Sequence, residues 1–150
     1  MRAPFQILVY LYRVNKADDL EYAVFQRADA GFWQGIAGGG EDDETPLETA
    51  MRETEEETGM SLSAGWIRLQ TISSVPVTEF SGRDHWPVDL HVVPVHCFGV
   101  AGEDAVVTLS HEHTQMQWLS LKEAQERVKF DVDRVALWEL DQRLQGKAIL

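Results

Sequence analysis

Glu53, Glu56 and Glu57 stand at i, i+3 and i+4 within Gly38 to Met60, GGGEDDETPLETAMRETEEETGM. On a helix that spacing brings the three carboxylates together, while Glu48 and Glu55 add to the field and only Arg52 offsets it. Each like-charge pair costs an isolated helix roughly 0.2–0.5 kcal/mol, and the negative end of the helix dipole disfavours the late glutamates further. A solvated acidic face can carry that cost, and a bound cation would remove it. The three glycines just before, Gly38, Gly39 and Gly40, favour the cation. Without side chains they let a phosphate or a metal ion approach the backbone, and they permit positive φ. Hard cations such as Mg²⁺ take carboxylate, carbonyl and water oxygens and leave positions open for substrate phosphates. A glycine loop followed by an acidic helix is therefore expected to be a metal–phosphate site.

The ends of the helix are legible. Thr45 and Glu48 have capping-box spacing, Pro46 falls at the first helical position and Gly59 suits a left-handed stop, so the helix is expected over Pro46 to Thr58. Leu47, Ala50, Met51, Thr54 and Thr58 form its weakly apolar stripe, the face expected against a sheet.

Gly38, Glu44, Arg52, Glu53, Glu56, Glu57 and Gly59 together resemble the Nudix box: a glycine, five residues, Glu, seven residues, then Arg-Glu-aliphatic-x-Glu-Glu-x-Gly-aliphatic. Thr54 departs from the first aliphatic slot, with its methyl expected to be buried and its hydroxyl returned to a helical carbonyl, and Met60 fills the last. The resemblance implies an α+β fold, an α/β/α sandwich with a mixed β-sheet, and Mg²⁺-dependent hydrolysis of a phosphoanhydride, with Mn²⁺ as a second candidate ion. It implies Glu53, Glu56, Glu57 and the Gly38 carbonyl as metal ligands, Arg52 as the group that orients the glutamates, and Glu44 as its brace. Glu112, just ahead of Trp118-Leu119, matches a glutamate that reaches the metal from outside the box. Either Glu57 or Glu112 is then the base that takes a proton from water.

Within the family the chain is most similar to the bacterial dihydroneopterin triphosphate or dATP pyrophosphohydrolases, through Phe32-Trp33-Gln34, Glu112-His113, Trp118-Leu119 and the late helix with Arg134 and Ala136. That implies a nucleoside or pterin triphosphate as substrate and pyrophosphate as product. Dinucleoside polyphosphates or nucleotide sugars are the alternative substrates, and a nucleotide-binding regulator without turnover is the alternative from another class.

Two further residues are substrate-binding candidates. Arg27 closes a strand just before Ala28 to Gly31, where a guanidinium suits a phosphate oxygen as well as it suits plain solvent. Ala37 immediately precedes the glycines, so its backbone is placed to face substrate. Phe80, Arg83, His85 and Trp86 lie in a polar, aromatic stretch, TEFSGRDHWP, of the kind that holds specificity or does nothing. His111 and His113 lack a further soft ligand nearby in sequence, which disfavours zinc.

Composition bounds the partners. The 150 residues suit one domain, expected over 1–150, and 44% apolar with 25% charged residues is ordinary for a globular chain. A formal net charge of −12 disfavours a nucleic acid polymer but allows a small nucleotide whose charge is masked by metal ions. The lone Cys97 lies in an apolar run and is expected to be a buried thiol in a cytoplasmic protein. The apolar run of MRAPFQILVYLYR is too short to span a bilayer and reads as a strand.

These groups need a scaffold. Strands are expected at Phe5–Tyr12, Tyr22–Arg27, Trp66–Val77, Val88–Val100 and Gln115–Leu119, with Phe32–Ala37 delivering the glycines and Gly102–Leu109 turning back. Pro94 marks Val88–Val100 as an edge or bulged strand, with His91 and His96 as ordinary strand residues. Ser120 starts a helix, and Asp131–Leu144 forms the last one. Its stripe is Val132, Val135, Ala136, Leu140 and Leu144, with Leu137 at the margin and Asp141 facing away.

Overall fold

The computed structural model describes residues 1–102 and 109–146. Most of the expected Gly102–Leu109 turn lies outside them. In chain order the elements are β1 (Arg2–Val14), β2 (Leu20–Arg27), β3 (Trp33–Gln34), β4 (Ile36–Glu41), α1 (Pro46–Thr58), β5 (Ile67–Pro76), β6 (Val92–Ala101), β7 (His113–Leu119), α2 (Leu121–Arg127) and α3 (Asp131–Leu144). The sheet runs β3-β2-β1-β6-β5, with β4 also paired to β1 and β7 to β2. Among the described strands β1 and β6 pair in parallel and the other strand pairs are antiparallel. The sheet is therefore mixed, as expected, and no helix among the described residues is long and apolar enough to cross a membrane.

β1 is apolar without interruption because both its faces are covered. Ile7, Val9 and Leu11 join Phe25, Ile36, Ala50 and Phe98 on the α1 side. Leu8 and Tyr10 join Tyr22, Val24, Cys97, Leu137 and Leu140 on the α3 side. Helix, sheet and helix thus form three layers with a core on each sheet face, and Cys97 is buried as expected.

Several expectations shift. β6 begins at Val92, and His91 lies outside it. β6 is an inner strand, flanked by β1 and β5. Pro94 is accommodated because the pairing with β1 begins only at Val95, so at Pro94 the strand has a partner on the β5 side alone. Among the described residues β5 is an edge strand, ended by Pro76.

α3 has the expected bounds but not the expected faces. Leu137 is at the centre of the core, Val135 is exposed, and the acidic residues Asp133, Glu139 and Asp141 are buried. Each carboxylate has partners that justify its burial. Asp133 accepts from the Tyr10 hydroxyl and from the Gly35 amide at 3.0 Å. Asp141 accepts from the Tyr22 hydroxyl at 2.6 Å. Glu139 accepts from the amides of Gln70 and Thr71, both at 2.7 Å, and from the Thr71 hydroxyl at 2.6 Å. Those amides fall where β5 slips register against β6, between Arg68 and Ile72, so Glu139 takes the place of missing ladder partners.

Burial alone would raise the Glu139 carboxyl, but these donors and Arg143 hold it below its ordinary value. Its contribution to stability is therefore full above about pH 4.3, the unfolded value, and is lost as the pH falls toward the lowered native one. Glu139→Ala should lower the unfolding free energy by about 2–4 kcal/mol at neutral pH, because two amides lose their acceptor. Urea melts of both proteins check this, with the gap expected to shrink in acid.

Candidate functional site

α1 is set by local chemistry. The Thr45 hydroxyl accepts from the Glu48 amide at 3.2 Å while the Glu48 carboxylate accepts from the Thr45 amide at 2.9 Å. At the other end Gly59 takes φ 77° and returns its N–H to Glu55. The buried face is not the expected stripe. Thr49, Ala50, Thr54 and Thr58 pack inward, Leu47 is exposed and Met51 is only half-buried. The Thr58 hydroxyl donates to the Thr54 carbonyl at 2.6 Å, whereas the Thr54 hydroxyl, expected to make such a bond, has no partner among the described residues. This small, threonine-rich face brings Glu53 and Glu57 down to 8% and 2% exposure, while Glu56 stays near solvent.

Gly38 to Gly40 are not a loop. They form the end of β4, paired to β1, and none takes a positive φ. The turn follows at Asp42 and Asp43, where Asp42 has φ 50°. What the glycines supply is close approach. A Cβ on Gly38 would lie 2.3 Å from the Glu53 carboxyl carbon, and one on Gly40 would lie 2.3 Å from the Phe5 ring.

Arg52 ties this strand to the helix. Its Nε donates to Glu44 at 2.8 Å, Nη2 donates to Glu44 and to the Gly39 carbonyl, both at 3.0 Å, and Nη1 donates to Glu53 at 3.1 Å and Glu56 at 3.2 Å. Glu44 also accepts from the Glu41 amide and the Thr49 hydroxyl. Chiefly through Arg52, the Glu44 carboxyl is pulled down to about 2. Arg52 itself is raised, first by Glu44.

Glu57 faces a second group. Its Oε2 lies 2.7 Å from Nδ1 of the enclosed His113 ring and accepts from the Ser110 hydroxyl at 2.9 Å. Glu112 lies close enough to Glu57 to shift it. Burial alone would raise Glu57, yet His113, Glu112 and Ser110 together bring it below its ordinary value. Glu112 is raised, first by its neighbour Glu57 and then by burial. Arg27 pairs with Asp29 at 3.1 Å and reaches Glu112 at 3.9 Å, which places it at the rim of this cluster.

Among the described residues no three His, Cys, Asp or Glu side chains are already gathered closely enough to hold a metal ion. Arg52 occupies the space between Glu53 and Glu56, and Glu57 is turned to His113 and Ser110. The donor set nevertheless fits a hard divalent cation. Every candidate ligand offers oxygen. Glu53 is raised to about 7, first by burial, against the pull of Arg52 and with repulsion from Glu56 and Glu57, so a cation is what its carboxylate lacks. Gly38 keeps the space beside it open.

Ala37 is on the other side of the strand. Along β4 alternate residues face opposite ways, so Gly38 meets α1 while Ala37 and Gly39 look toward α3. There Ala37 lines a cleft of about 590 Å³ with Gln6, Gln34, Phe80 and Phe130. The carboxylates and the cleft are thus separated by one glycine-rich strand, which pairs only with β1 among the described residues. Of the aromatic stretch, Phe80 reaches this cleft. Trp86 instead donates to the Arg2 carbonyl at 2.9 Å and Arg83 to the Thr78 carbonyl at 3.2 Å. Sequence reasoning gave no role to Ser110 and weighed His113 only for zinc, missing both as partners of Glu57. Ser110 and His113 flank Glu112 in the chain, and that proximity was the available signal.

The NUDIX domain model matches residues 6–138. The chain belongs to the Nudix family. The fold and the class of enzyme expected from the box, a Nudix hydrolase, stand with it. A dihydroneopterin triphosphate diphosphatase of Haemophilus influenzae is 30% identical over 127 residues, covering 82% of this chain and 77% of that protein. A Listeria monocytogenes crystal structure assigned to the Nudix hydrolases is 36% identical with a TM-score of 0.85, covering 98% of this chain and 100% of the other. The Escherichia coli dihydroneopterin triphosphate pyrophosphohydrolase is 25% identical with a TM-score of 0.73, covering 93% and 97%.

In this Nudix chain Gly38→Ala should leave the melting temperature nearly unchanged, because the atom met is the far end of a flexible side chain. Displacing the Glu53 carboxylate should lower divalent-ion-dependent turnover by about 10²-fold. Thermal melts beside initial rates check both halves.

Proposed function

We propose that the chain, acting as a single domain, hydrolyses a pterin or nucleoside triphosphate to the monophosphate and pyrophosphate in the presence of Mg²⁺ or Mn²⁺. The observation that carries this reading is the pair of carboxylate groups on one helix face, Glu53 and Glu56 held by Arg52 and Glu57 held by His113 and Ser110. Likeness to the Haemophilus influenzae diphosphatase and the Escherichia coli pyrophosphohydrolase supports the triphosphate.

Glu53, Glu56 and Glu57, with the Gly38 carbonyl and Glu112, are the groups that would hold the cation. When bound, it would neutralise phosphate charge and lower the pKa of water. The chain's own part is orientation and proton transfer. Arg52, braced by Glu44, sets the positions of Glu53 and Glu56. Either Glu57 or its neighbour Glu112 is the base that takes the proton of the attacking water. The water oxygen bonds to phosphorus, the bridging phosphoanhydride bond breaks, and pyrophosphate departs. Arg27 at the rim is placed to take a phosphate oxygen.

Glu57→Gln keeps the size of the side chain and removes its charge, and turnover should fall by about 10²-fold or more with the fold retained. Phosphorus NMR in ¹⁸O-labelled water should show pyrophosphate as the first product from a pterin or nucleoside triphosphate. Orthophosphate first, or near-normal activity in Glu57→Gln, overturns the assignment.

A further inference from the structure

The turn that leads into β7 is fastened to the end of α1 through one glutamate. The Ser110 amide donates to the Glu57 carbonyl at 3.2 Å, the Ser110 hydroxyl donates to Glu57 Oε2 at 2.9 Å, and Nδ1 of His113 lies 2.7 Å from that same oxygen. The Ser110 hydroxyl also accepts from the Glu112 amide at 3.3 Å, and the Glu112 carbonyl accepts from the Ala28 amide at 2.8 Å. The turn is thus anchored just past β2 on one side and presses on Glu57 on the other.

His113 is a costly residue for packing alone. Its side chain is fully enclosed, and its ring leans on Phe25 with centroids 5.3 Å apart and 50° between the planes. Nδ1 meets Glu57 off the N–H axis and Nε2 meets no acceptor or donor, so neither ring nitrogen completes a hydrogen bond among the described residues. An enclosed, unmatched nitrogen lowers stability. A leucine against Phe25 would fill the space without that penalty. What the imidazole adds over an apolar side chain is Nδ1 beside Oε2.

We propose that His113 is a positioning residue: with Ser110 it holds Oε2, so that Oε1 is the Glu57 atom offered to a divalent cation. A carboxylate already fixed through one oxygen loses less freedom when the other takes an ion, and groups that orient a metal ligand raise its affinity for the metal. The ring is therefore kept for ion affinity and against stability. Glu53 and Glu56 take their bonds from Arg52 of the same helix, whereas Glu57 is set from β7, so a change at position 113 reaches one ligand and leaves the other two. The inference deepens the hydrolase reading and rests on it only in taking Glu57 as a ligand of the ion.

The test reads ion binding without substrate. Mn²⁺ titrations of the full chain, followed by the paramagnetic resonance of the free ion, should give an affinity weaker by about tenfold or more in His113→Leu, the scale for losing a group that orients a metal ligand. His113→Asn keeps an N–H near the Nδ1 position and should bind Mn²⁺ nearly as the unaltered chain does. His113→Gln carries its carboxamide to the Nε2 position instead, so it should lose affinity as the leucine variant does, and it stands in if His113→Leu does not fold. Melting temperatures without Mn²⁺ should not fall in His113→Leu. Unchanged Mn²⁺ affinity in folded His113→Leu or His113→Gln overturns the assignment, as does a loss in His113→Asn equal to theirs. Weakened Mn²⁺ binding in the leucine and glutamine variants, beside an unaltered chain that releases pyrophosphate from no triphosphate, upholds the positioning role and sinks the hydrolase reading instead.

Discussion

The Arg52 guanidinium is the hinge on which the acidic face of α1 is built. Four carboxylates of the box lie within a few turns of one another, and without a fixed cation among them the helix that carries them would repel itself. Arg52 meets that need with its planar fork, bonding Glu44, Glu53, Glu56 and the Gly39 carbonyl at once. A lysine could neutralise the charge but could not hold three elements in register. Because Glu44 takes Arg52 through both its oxygens, the arginine is positioned from the turn before the helix, and the glutamates are positioned from the arginine.

Around that hinge, glycine and threonine decide how closely the layers meet. The glycines of β4 let Glu53 and Phe5 press against the strand, and the threonines of α1 keep the helix close enough to the sheet for Glu53 and Glu57 to be buried with it. Burial is what separates their behaviour. Glu53, short of hydrogen-bond donors, is raised, whereas Glu57, surrounded by Ser110, His113 and Glu112, is lowered. Two glutamates four residues apart are thus shifted in opposite directions, for reasons outside the helix.

The opposite sheet face solves a related problem with buried acids. Asp133, Glu139 and Asp141 replace part of an apolar stripe on α3, and each accepts a bond from a strand: Tyr10 and Gly35, the bulged amides of β5, and Tyr22. These contacts fix the angle of α3 over the sheet, and the cleft opens at the N-terminal end of that helix. The same bond to Gly35 also sets the junction between β3 and β4, so the strand that separates cleft from carboxylates is held from the α3 side.

Local signals were enough for the helices and for the membership of the box. Thr45, Pro46 and Gly59 act on their own neighbours in the chain, so the bounds of α1 could be read directly, and Ser120 announces α2 in the same way. The family match likewise depends on spacing along one segment. What no local rule contains is which partner a group meets across the sheet. That Gly38 to Gly40 are strand and not loop follows from pairing with β1; that Pro94 sits in an inner strand follows from where β1 stops; and that Asp141 is inward follows from Tyr22, 119 residues away. The site divides along the same line. Arg52, Glu53 and Glu56 are neighbours by helical geometry alone, whereas the contacts of Glu57 with Ser110 and His113 and the gathering of Gln6 and Gln34 in one cleft exist only after distant strands have closed, because burial and hydrogen-bond partners are properties of the packed chain.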